Sequence, residues 1–387
     1  MPHCLDPLKS KQPGPSFAQL TEPATDIIGD APPLEARGNR DLQLTFEQQL
    51  NSLIFFHLEE HTSGRHLLQV MEEDTWAREC IAPPQGIKKS SYFEAINTRG
   101  MEQLLYVFEK LHAKAAGSLP KEHAPWGDLV AIDGSLIDAV LSMMWADYRK
   151  GAKKAKAHLG FDLNHSLPAK VFLTDGKGDE RPFVDHILSP GQTGVMDRYY
   201  QCHKNFDRWQ TDGKHFVCRI KARTRKTVIQ VNEVSGQGPV FYDAVVLLGT
   251  LYRNQTEKSV RVVGYRIGEA EYWLATDRHD LPAEDLALIY KLRWQIEIFF
   301  GWWKGHLKVY HLIARSRHGL MVQILSGLIT YLLLAIYCRK HHQEKVSLKR
   351  VRELRIIIQN EARARSPRFP QCYDANEPKP ALTYAKT

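Results

Sequence analysis

Tyr290, Arg293, Glu297 and Lys304 lie in YKLRWQIEIFFGWWK, a segment with no proline and no glycine before Gly301, and the pattern predicts one continuous helix. At about 100° per residue the four side chains fall at roughly 0°, 300°, 340° and 320°, a stripe about 60° wide and roughly 21 Å long. Ile289, Leu292, Ile296, Phe299, Phe300, Trp303 and Leu307 fill the adjoining sector. One face is therefore buried, and its rim carries a carboxylate with two cations and a phenol. Arg293 and Glu297 also have the i,i+4 spacing of an ordinary surface ion pair, worth a few tenths of a kcal/mol. The chemical alternative is a metal-binding carboxylate held against a polyanion.

Two further acids close apolar runs. DLVAIDGS reads as a buried strand that stops at Asp133, and GVMD as a shorter run that ends at Asp197. Carboxylates at strand ends, at the mouth of an α/β sheet, are where ligands and metals collect. If Asp133, Asp197 and Glu297 converge without Cys or His beside them, the site suits Mg²⁺ or Mn²⁺. Two such ions about 3.5–4 Å apart clamp the attacking and leaving oxygens of an in-line phosphoryl transfer. Each acid alone has a plainer explanation: Asp133 precedes Gly134 and fits a turn, while Asp197 precedes Arg198 and fits a surface ion pair. Asp138, Asp175 and Asp185 stay open on the same grounds.

These residues need elements to hold them. The chain of 387 residues carries a formal charge of +8, with 43% hydrophobic and 25% charged residues, an ordinary globular composition that favours an acidic partner such as nucleic acid. The six cysteines form no C-x-x-C pair, so no zinc site or disulfide framework is expected, and a cytoplasmic setting fits. The first residues lack the layout of a signal peptide. GLMVQILSGLITYLLLAIYC (319–338) approaches membrane-span length but holds Gln323, Ser326, Thr330 and Tyr331, and is expected to be a buried core helix with no membrane partner.

Residues 1–40 read as a loosely ordered leader and 41–117 as a small helical domain, in which Ser90 or Ser91 would cap a basic, aromatic helix able to touch DNA. An α/β core follows over 126–338. It is interrupted at 222–277 by short β-branched runs, TVIQV, FYDAVVLLG, SVRVVGYRI and EYWLAT. Residues 339–387 form a basic tail, with ten Lys or Arg against three Glu over 339–368.

The spacing Tyr290-x2-Arg293-x3-Glu297-x6-Lys304 resembles the signature of the insertion-sequence-four family of bacterial DDE transposases. IDGS at Asp133 and VMDRYY at Asp197 resemble that family's two aspartate motifs, and FVCRIK the strand after the second. The likeness spans roughly residues 86–338. It implies an RNase H-like catalytic core with a β-strand insertion, behind a small all-helical N-terminal domain. It also implies the catalytic, metal-binding triad Asp133, Asp197 and Glu297, with two divalent ions. Tyr290, Arg293, Lys304 and Arg198 would contact DNA, and Trp273 or Tyr272 would stabilise a flipped base. The partners implied are the element's terminal inverted repeats, target DNA and a second copy of the chain in a nucleoid-associated synaptic complex. A purely nucleolytic or catalytically inactive DNA-binding relative is the alternative. One departure stands out: the second motif usually has Gly where this chain has Tyr199, so the turn after Asp197 must differ.

Overall fold

The computed structural model describes residues 15–34, 42–234, 236, 238–307 and 311–365. Helix α1 (Pro15–Gly29) buries Phe17, Leu20 and Ala24, so this part of the expected leader is ordered structure; residues 1–14 and 35–40 lie outside the described residues. Helix α2 (Phe46–Leu58) begins at a capping box in which Thr45 and Gln48 satisfy each other's backbone N–H groups. Helices α3 (Gly64–Glu73), α4 (Thr75–Cys80), α5 (Lys89–Thr98) and α6 (Met101–Ser118) follow. The cap of α5 is Lys88 rather than Ser90 or Ser91, which fall in the first turn and offer no capping bond.

Three antiparallel strands start the sheet: β1 (Leu129–Ala139), a short edge strand β2 (Asp147–Arg149) and β3 (Ala152–Asp162), with β4 (Leu167–Asp175) paired on β3. After the short helix α7 (Val184–Ile187), β5 (Thr193–Met196) runs parallel to β1. Helix α8 (His203–Thr211) then leads to β6 (His215–Arg219), parallel to β5. Strands β7 (Lys226–Val231), β8 (Val240–Leu248), β9 (Val260–Ile267) and β10 (Ala270–Thr276) occupy the stretch read as β-rich. They continue the same sheet, because β10 pairs antiparallel with β6, giving the order β2-β3-β1-β5-β6-β10-β9-β8-β7. The result is a mixed α/β fold on a central mixed sheet.

Alternation along the strands sends neighbouring side chains to opposite faces. Leu129 and Ala131 join the larger core with the N-terminal helices and α11 (Arg317–His342), whereas Val130 and Ile132 pack with Ile187, Phe206 and Trp209. Gly194 is needed in β5, since a Cβ there would meet Leu188 Cδ1 at 2.7 Å. The strand is buried along its whole length although Pro190 and Gly191 precede it.

The predicted single helix is two: α9 (Ala283–Leu292) and α10 (Trp294–His306) meet at Arg293. Tight bonds from Arg293 N to Tyr290 O and from Ile296 N to Arg293 O, at 3.1 and 3.2 Å, mark the junction, and Arg293 keeps right-handed helical dihedrals. Helix α11 is long and apolar enough to cross a membrane, but 83% of its most apolar window is buried inside the fold. The expected basic tail is in part a helix, α12 (Leu348–Arg365), that buries Val351, Leu354 and Ile358. These fall at i, i+3 and i+7 within a run of cations, so one narrow apolar stripe docks, and Arg350 and Arg355 beside it are mostly covered and paired with Glu344, Glu353 and Glu60. Residues 366–387 lie outside the described residues.

Candidate active site

Asp133 lies within β1, not at its end, because pairing with β3 carries β1 on to Ala139. Its parallel neighbour β5 does stop there: Ile132 is opposite Met196, and Asp197 follows directly. Both aspartates therefore emerge where the parallel part of the sheet ends. Gly134 N donates to Asp133 Oδ1 at 2.8 Å, and Arg293 Nη1 stands 3.6 Å from Oδ2. Burial pushes the Asp133 carboxyl up to about 7; its bond from Gly134 N and Arg293 act the other way, and the charges of Glu180 and Asp197 add to the rise.

Asp197 caps the short 3₁₀ turn Arg198–Tyr200, accepting from Tyr199 N at 2.8 Å. Tyr199 fits where the resemblance leads one to expect Gly because no left-handed backbone is required at this position. Its ring is half exposed, with the Arg181 guanidinium 5.5 Å from the ring centre.

On α10, Arg293 Nη2 donates to Glu297 Oε1 at 2.6 Å, so one guanidinium spans Glu297 and Asp133. Burial opposes the charge of Arg293, but Glu297, Tyr290 and Asp133 more than offset it and its pKa rises. Tyr290 is buried, with the Arg293 guanidinium 5.8 Å from the centre of its ring. Lys304 Nζ donates to Leu136 O of β1 at 2.8 Å; burial lowers its pKa, while Asp138 and Asp133 pull the other way. Of the four, Arg293 and Lys304 reach β1 directly and Glu297 is linked to it through Arg293, whereas Tyr290 lies on α9, which packs against β5, β6, β8 and β9. Among the described residues, no three His, Cys, Asp or Glu are gathered as a metal-ligand set as they stand.

The other acids have structural partners. Asp138 pairs with Lys154, Asp175 accepts from Lys177 N in a turn, and Asp185 takes Trp209 Nε1 and Arg208. Tyr272 and Trp273, being adjacent on β10, point to opposite faces. Tyr272 stacks on Tyr265 at 5.2 Å, under the Arg219 guanidinium. Trp273 carries Lys226 Nζ 4.3 Å over its ring, and its Nε1 has no hydrogen-bond partner.

Two features escaped the sequence reading. Arg181, Arg198, Lys204, Lys221, Arg223 and Arg225 line a groove of about 950 Å³ that begins at Asp197. The run KARTRK after β6 was its only local signal. Glu180 is the second: its buried carboxylate adjoins Asp133, and nothing in DGKGDERPF separates it from the acids around it.

A family model for transposase DDE domains matches residues 127–333, more than half of the chain. The chain is 29% identical over 210 residues to a protein described as a probable transposase for insertion sequence element IS5377 of Geobacillus stearothermophilus, covering 53% of this chain and 55% of that one. It is 26% identical over 242 residues to a protein of Sinorhizobium fredii named as a transposase, y4zB, covering 60% and 68%. Identity is 24% over 243 residues to one named for insertion sequence element IS4SA of Synechocystis, covering 60% and 66%. The chain thus spans little more than half the length of the first of these relatives.

Proposed function

This chain belongs to the DDE-domain transposase family, and on that premise we propose that it is an insertion-sequence transposase that cuts DNA at the ends of its element and joins them to target DNA. The observation that carries the reading is the meeting of three elements at one point: Asp133 and Asp197 leave adjacent parallel strands together, and Arg293 links Glu297 to Asp133. The strand order β4-β3-β1-β5-β6, an antiparallel meander followed by two parallel strands, supports an RNase H-like core. Strands β7 to β10, joined to the sheet edge at β6, would be the insertion in this reading.

The donor set fits hard divalent ions: only carboxylate oxygens are offered, burial disfavours an unneutralised charge on Asp133, and a cation already spans Asp133 and Glu297. Asp133, Asp197 and Glu297 would hold two Mg²⁺ or Mn²⁺, which supply Lewis-acid stabilisation of the attacking and leaving oxygens. Glu297 must part from Arg293 to join the two aspartates. Arg293, released, is then placed to meet a DNA phosphate, with Tyr290 orienting it. Lys304, and Arg198 with the basic groove beside Asp197, would carry the DNA backbone on either side. Trp273, at the rim shared with Arg198, Lys221 and Arg223, is better placed for a flipped base than Tyr272, whose ring is already stacked. A homodimer holding two element ends completes the proposal.

The test is cleavage of a duplex carrying one element end, with Mg²⁺ or Mn²⁺ present. Asp133→Asn, Asp197→Asn and Glu297→Gln should each lower the cleavage rate by roughly 10³-fold or more and leave end binding within a few-fold. Cleavage at the parental rate by all three variants would end the reading.

A further inference from the structure

Glu180 adjoins the two aspartates, yet both of its oxygens are engaged elsewhere. Its side chain is 13% exposed and lies flat against Gly134, the residue after Asp133; a Cβ at Gly134 would come within 2.5 Å of the Glu180 carboxyl carbon. Backbone and carboxylate approach so closely only because position 134 has no side chain. Glu180 Oε2 accepts from the Tyr200 hydroxyl at 2.8 Å, and Oε1 stands 3.2 Å from Lys156 Nζ. Lys156 lies opposite Leu136 in the β1–β3 register and also donates to Gly178 O at 3.0 Å. Tyr200, 1% exposed, ends the turn that Asp197 begins.

One carboxylate thus touches three segments: β1 just past Asp133, β3 through Lys156, and the Asp197 turn through Tyr200. Besides the pairing of β1 with the short β5, this is a second tie between the two aspartate-bearing segments. We propose that Glu180 is a positioning residue that locks the turn bearing Asp197 against the strand bearing Asp133, and so sets the spacing of the two aspartates. The hydroxyl of Tyr200 and the missing side chain at Gly134 are parts of the same device. Ligation by Glu180 itself is disfavoured because its two oxygens already serve Tyr200 and Lys156.

The proposal rests on the reading that Asp133 and Asp197 hold the divalent ion, and two measurements separate the fates of the two ideas. The first is amide exchange in the metal-free protein. Tyr200→Phe and Glu180→Ala should each speed exchange at Tyr199 N–H, the group held by Asp197, by about tenfold, with β1 amides unchanged. The second is Mn²⁺ binding followed by electron paramagnetic resonance. Both variants should bind about tenfold more weakly, as loss of a supporting partner does, and the double variant should be no worse than the weaker single one. Unchanged Tyr199 exchange in both variants overturns the lock. Loss of Mn²⁺ binding in Glu180→Gln with full binding in Tyr200→Phe also overturns it, making Glu180 a ligand. Undiminished Mn²⁺ binding by Asp133→Asn overturns the metal reading instead, and the exchange measurement then still decides on the lock. If Glu180→Ala does not fold, Tyr200→Phe decides alone.

Discussion

Two polar clusters, one buried around His57 and one partly buried around Asp133, solve the burial of polar groups differently. His57 joins α2 to the end of α10 and to α11: Nδ1 is 2.6 Å from Leu307 O, and Nε2 is 3.1 Å from both Ser326 Oγ and Gln323 O. The Gln323 side chain accepts from Ile313 N and donates to His311 O, both at 2.9 Å. Both ring nitrogens of His57 and both ends of the Gln323 amide have partners, and none of these groups need be charged, since burial pushes the His57 pKa down to about 4. Around Asp133 the groups are charged and their needs unmet: Arg293 Nε has no partner, and Asp133 is held near 7. A network that only supports the fold can close on itself. The Asp133 cluster, proposed to take a cation and a phosphate, leaves polar groups unpaired, at a cost in stability.

The largest effects should therefore separate cleanly. His57→Ala removes a buried ring and strands the acceptors it served, and should lower the unfolding free energy by about 2–4 kcal/mol in urea titrations. Its cleavage rate per folded molecule should be nearly parental. Asp133→Asn should do the reverse, with cleavage lost and the urea midpoint at pH 8 equal to or above the parent's. A loss of cleavage in folded His57→Ala as deep as in Asp133→Asn would erase the distinction between the two clusters.

The pH dependence of stability sharpens the comparison, because the two groups act with opposite sign. For His57 the native pKa, about 4, lies below the ordinary histidine value of 6.5. Its contribution is complete above pH 6.5 and is lost as pH falls through 4, on the order of 3 kcal/mol in total. For Asp133 the native pKa, about 7, lies above 3.8. Its contribution is complete below pH 3.8 and is lost as pH rises through 7, of similar order. In the metal-free parent the two trends partly cancel between pH 4 and 6.5. Asp133→Asn should unmask a steeper rise of stability with pH over that window. An unchanged slope would mean that Asp133 ionises freely in the native state.

The two clusters also differed in how far they could be read from sequence. Hydrophobic period marked α11, and the spacing from Tyr290 to Lys304 marked the segment of α9 and α10, because both are local patterns. Asp133 and Asp197 were found as ends of apolar runs, although only β5 ends where that logic requires. Long-range pairing hid the rest. No local signal says that β10 joins β6, that Glu180 folds back over Gly134, or that His57 meets Gln323 across 266 residues of chain. Helix α1 was concealed by Pro23 inside it, and α12 by the cations around its three apolar anchors. In both cases tertiary burial outweighs unfavourable local composition.

The smallest expected effect concerns Lys304, which stands between the two kinds of role. Its bond to Leu136 O fastens α10 to β1, as a structural group would, while its charge sits beside Asp133 and Asp138. Anchoring and phosphate contact make different predictions for Lys304→Ala. Loss of an anchor lowers stability and weakens end binding by the same factor at every salt concentration. Loss of a phosphate contact weakens binding a few-fold and makes the plot of log affinity against log salt shallower by about 0.9, because one fewer counterion is released. We expect the second result, with an unfolding free energy within about 1 kcal/mol of the parent, since a half-buried lysine can be replaced at modest cost. A salt slope identical to the parent's would move Lys304 from the DNA-facing cluster into the frame that supports it.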